Sequence, residues 1–143
     1  MGCWGITALE SDDGLDAVGC IRHNLPKDGQ LDLGEMLEPL KKDQWNAPCD
    51  VKLGCAHTSP MALAEIIVKY LDGDPGSLDY DDEWAAKDNK FRSITSFTAS
   101  RSALLELRDY LADTLKYARI RAEQQIKAGE LPGGWFDPKD WDR

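Results

Sequence analysis

Ser59-Pro60-Met61-Ala62-Leu63-Ala64-Glu65-Ile66-Ile67-Val68-Lys69-Tyr70-Leu71-Asp72-Gly73 reads as a helix with both ends marked. Ser59 is an N-cap residue, and Pro60 stands at the first helical position, where its missing N–H costs nothing. Leu63, Ala64, Ile67, Val68 and Leu71 supply the apolar stripe, and Gly73 stops it. The apolar residues cover more than one narrow face, which predicts a central place in the core.

Working outward towards the C-terminus, an acidic linker is followed by Trp84, Lys87, Phe91 and Ile94 at helical intervals. Ser93, Thr95, Ser96 and Thr98 weaken that pattern, so a minor strand over 91–98 is the alternative to helix there. A long helix then starts near Thr98 or Ser100, carries Leu104, Leu107, Leu111, Leu115, Ala118 and Ala122 along one face, and ends at Gly129. It is not a coiled coil, because Thr114 and Arg121 interrupt a seven-residue repeat. The tail over 130–143, with Trp135, Phe136 and Trp141, is rich in turns and aromatic rings.

Towards the N-terminus, 43–58 lacks periodicity and reads as a loop pinned by Trp45. Asp32, with Glu35 three residues on, opens a helix through Leu33, Met36, Leu37 and Leu40 that Pro39 should shorten or bend. Ser11-Asp12-Asp13 caps a first helix from about Asp13 to Asn24, stopped by Pro26. The whole is a single, compact, mostly α-helical domain over 1–143, of about five helices.

Composition agrees. Apolar residues make up 42% of the 143 and charged residues 30%, the balance of a folded chain that can bury roughly two-thirds of its unfolded surface. The net charge is −9, from 26 acids and 17 bases. Such a chain repels phosphate backbones and anionic membranes and attracts basic proteins or cations, so nucleic acid and membrane are excluded as partners and a basic protein is favoured. No signal-peptide pattern or membrane span is visible, and the cysteines Cys3, Cys20, Cys49 and Cys55 read as reduced thiols of a cytoplasmic protein.

Two clusters carry candidate chemistry. Asp72-Gly-Asp74-Pro-Gly-Ser-Leu-Asp79-Tyr-Asp81-Asp82-Glu83 has the length of an EF-hand calcium loop, and Asp72, Asp74 and Glu83 match its first, third and twelfth positions. Gly76, Ser77 and Asp79 occupy places where that loop needs an oxygen ligand, a glycine and an apolar residue. Read as an interaction surface, the same stretch offers Asp79, Asp81, Asp82 and Glu83 to a basic partner. From Asp72 to Lys90 seven acids and two bases leave a local charge of −5. The second cluster, Cys49, Cys55 and His57, with Cys20 and His23 elsewhere, contains zinc-ligand types but no C-x-x-C pair. Neither Cys–His pairing comes with a visible oxyanion hole, and no phosphate loop, serine elbow or H-E-x-x-H motif occurs, so no catalytic residue and no cofactor is assigned.

The opening Met1-Gly2-Cys3-Trp4-Gly5, followed by Leu9-Glu10-Ser11-Asp12-Asp13-Gly14-Leu15-Asp16, resembles a bacterial family of small proteins known as domain of unknown function 4259. Ala17 stands where that family usually has tryptophan. The resemblance implies a cytosolic bacterial protein and supplies no catalytic residues. The expected function is therefore a non-enzymatic, acidic protein-interaction module of immunity or regulatory type. The alternatives are a metal-binding protein, with calcium at 72–83 or zinc at the Cys/His cluster, and a hydrolase built from scattered carboxylates.

Overall fold

The computed structural model describes residues 7–48, 58–79 and 90–130. Over these the chain is mostly helical, with α1 (Asp12–His23), α2 (Leu33–Lys42), α3 (Ser59–Leu71) and α4 (Arg101–Lys127). Two three-residue strands, β1 (Gln30–Asp32) and β2 (Ser96–Thr98), pair in parallel with Leu31 opposite Phe97. Among the described residues there are also three single 3₁₀ turns, Ala8–Glu10, Pro75–Leu78 and Phe91–Ser93.

The helix ends follow from local chemistry. Ser11 caps α1 by accepting the Gly14 N–H at 3.1 Å, and its own hydroxyl donates to the Ala8 carbonyl at 2.7 Å. Asp32 ends β1, caps α2 by accepting the Gly34 N–H at 2.9 Å, and accepts from the Thr98 hydroxyl of β2 at 3.3 Å. One side chain thereby joins a strand, its neighbour and the next helix. Ser100 caps α4 through the Ala103 N–H. At the other ends of α3 and α4, Gly73 and Gly129 take φ values of +71° and +76°. In each case two N–H groups close back on the last turn, Asp74 to Lys69 and Gly73 to Tyr70, Glu130 to Gln125 and Gly129 to Ile126. This is the Schellman arrangement that glycine makes cheap.

The core forms where α1 packs on α2 and α3, and α4 lies against α2 and α3. Val18, Ile21, Leu33, Met36, Leu37, Leu40, Leu63, Ile66, Leu78 and Phe91 are fully enclosed there. The 3₁₀ turn at Ala8–Glu10 is tied to this body twice: Glu65 of α3 accepts the Leu9 N–H at 2.8 Å, and the Ala8 carbonyl lies against Gly14 of α1. Gly29, at φ +74°, accepts from the backbone N–H groups of Thr95 and Ser96 and begins the strand pairing.

Several local expectations are corrected. Thr58, not Ser59, is the residue before α3, and Ser59 is the first helical residue, 2% exposed, its hydroxyl without a hydrogen-bond partner. Pro39 does not end α2, which runs three residues further. The carbonyl that loses a partner belongs to solvent-exposed Glu35, while Leu37 and Leu40 on the opposite side are anchored in the core. Trp45 pins nothing, being 80% exposed. The turn there is instead organised by the Asp43 carboxylate, which accepts the Trp45 and Asn46 N–H groups and the Asn46 amide, and these bonds hold it below the usual carboxylate range. Phe91 and Ile94, read as part of a helix, are both buried by one 3₁₀ turn, which also satisfies a three-residue spacing. The helix start at Trp84 lies outside the described residues.

α3 is less central than its composition implied: Ala62, Leu63 and Ile66 are buried, but Val68 and Leu71 are 51% and 78% exposed. In α4, Ala103 and Leu107 are buried, whereas Leu104 and Leu115 are nearly half exposed. At 27 residues it extends for about 40 Å, and Ala122, near its other end, is again buried.

Candidate functional site: a buried carboxylate at the base of the acidic stretch

The acidic stretch begins as the cap of a helix. Asp72 and Asp74 are exposed, Asp72 as the C-cap of α3 and Asp74 in the turn beyond it, with the Asp74 carboxylate 3.6 Å from Lys69 Nζ. The 3₁₀ turn Pro75–Leu78 then carries the chain inward, burying Leu78 completely.

Asp79 follows it into the interior. Its side chain has no exposed surface. One carboxylate oxygen accepts the Phe91 N–H at 2.8 Å, and the other accepts the Arg92 N–H at 3.1 Å and Arg92 Nε at 3.2 Å. Three donors on one carboxylate are what a buried anion requires. Because Asp79 and Phe91 lie twelve residues apart, these bonds tie together the two ends of the stretch that contains Asp81, Asp82 and Glu83.

Neighbouring groups brace this clasp. Arg22 of α1, 5% exposed, donates to the Leu78 carbonyl at 2.7 Å and places its guanidinium 5.7 Å from the centre of the Phe91 ring. The Tyr70 hydroxyl donates to the Phe91 carbonyl at 3.0 Å, and the Tyr70 ring stacks on Phe97 of β2 at 5.5 Å. Burial, and secondarily the Asp79 carboxylate, push the Tyr70 phenol well above its ordinary value. Folding therefore favours the protonated phenol. That contribution is complete below about pH 10, where an unfolded tyrosine begins to ionise, and is lost as pH rises further. Urea unfolding across pH 8 to 11 should show stability falling above about pH 10, and Tyr70→Phe should flatten that fall.

The other candidates fare differently. Glu83, Asp81 and Asp82, like Cys49, Cys55 and His57, lie outside the described residues. Among the described residues no three His, Cys, Asp or Glu side chains come together as a metal site. Cys20 is half-buried, and burial, reinforced by the Asp43 charge, raises its thiol above the ordinary value, the opposite of a reactive thiolate. His23 is exposed on α1, its Nδ1 2.7 Å from the Gly19 carbonyl. Nor is any described helix long and apolar enough to cross a membrane.

The role of Asp79 was hidden in the sequence because its partners are backbone N–H groups twelve and thirteen residues away. Only its place after buried Leu78 distinguishes it from the surrounding acids. No family model matches the chain, and neither does any curated protein or solved structure.

Proposed function

We propose that the protein is a non-enzymatic interaction module that presents the acidic stretch after α3 to a basic protein, in an immunity-type or regulatory role. One observation carries the reading: Asp79 is withdrawn from the surface to close the base of that stretch. The neighbouring acids contribute to a net charge of −9, a field that speeds encounter with a basic surface and disfavours acidic competitors. The interaction residues are Asp81, Asp82 and Glu83, with exposed Asp72 and Asp74 at their edge. A calcium role for Asp72 and Asp74 has less support, since Asp74 is engaged by Lys69 and the Asp79 side chain has no exposed surface. With the opening motif, this reading places the protein in a bacterial cytoplasm.

The test is capture from a source lysate at low and moderate salt by the wild type and by Asp81→Asn/Asp82→Asn/Glu83→Gln. The expected result is retention of a basic protein that weakens with salt and is lost in the triple variant. Equal retention by both baits, or none by the wild type at either salt, contradicts the proposal.

A further inference from the structure

We draw no further inference here: the strongest candidate, the exposed outer face of α4 from Leu105 to Ile120, carries nothing, because nothing among the described residues shows what covers it.

Discussion

Asp79→Ala is expected to lower the unfolding free energy by about 3 kcal/mol, a large share of the roughly 5–15 kcal/mol that holds a small domain folded. Two effects oppose each other. Removing the carboxylate relieves the cost of keeping a charge with no exposed surface. Against this, the N–H of fully buried Phe91 loses its acceptor at 2.8 Å and has no water to replace it. The second effect dominates, because an unsatisfied buried donor costs about 1–3 kcal/mol and two charge-assisted bonds to Arg92 disappear with it. Arg92 softens the loss, since its side chain is half exposed and its guanidinium can rehydrate. Asp79→Asn should lie between the variant and the wild type, because one amide oxygen can still serve Phe91 while the amide nitrogen faces the Arg92 donors. In thermal unfolding the alanine variant should melt roughly 10 °C below the wild type.

Gly14→Ala is the second substitution with a large expected effect, and its sign is instructive. In an open helix, alanine in place of glycine gains up to about 1 kcal/mol. At Gly14 a Cβ would run into the Ala8 carbonyl group, its carbon 2.6 Å away, and backbone cannot rotate aside as a side chain can. The 3₁₀ turn would have to lift off α1, straining the Ser11 cap and the Leu9 bond to Glu65. Overpacking of this kind costs about 3 kcal/mol, which exceeds the propensity gain. Gly19 of the same helix provides the control. Nothing stands within 4 Å of its Cβ position, so Gly19→Ala should stabilise by up to about 1 kcal/mol. Chemical denaturation of the two variants should thus shift in opposite directions.

What the sequence disclosed and what it withheld divide along the range of the forces involved. Caps and stops act within a turn, so Ser11, Asp32, Ser100, Gly73 and Gly129 could be read in place, and α1, α2, α3 and α4 fall close to where these residues put them. Burial depends on what lies opposite, which periodicity does not encode. Trp45 looked like an anchor and faces solvent, and Leu104 and Leu115 continue a regular stripe but sit where no neighbour fully covers them. The short parallel pairing of Leu31 with Phe97 spans 66 residues and has no local signature beyond the serines and threonines that weakened the helix pattern.

At the acidic stretch the same distinction applies to charge. Composition shows seven acids from Asp72 to Lys90 as equivalent. Among the three that are described, the fold makes one structural: Asp79 joins the ends of the stretch, while Asp72 and Asp74 remain at the surface beyond α3. Lys41, held by Glu106 first and Glu38 second, and raised above the ordinary lysine value by those bonds, is a similar case of acids serving the packing of α2 on α4.

The division of labour between Asp79 and the acids that follow it is tested most directly by the urea midpoint of Asp79→Asn set beside that of Asp81→Asn/Asp82→Asn/Glu83→Gln. The account predicts a clearly lowered midpoint for Asp79→Asn and an unchanged or raised one for the triple variant, whose loss of like charge relieves repulsion in a chain of net charge −9. A triple variant destabilised as much as Asp79→Asn, or an Asp79→Asn variant as stable as the wild type, would contradict it.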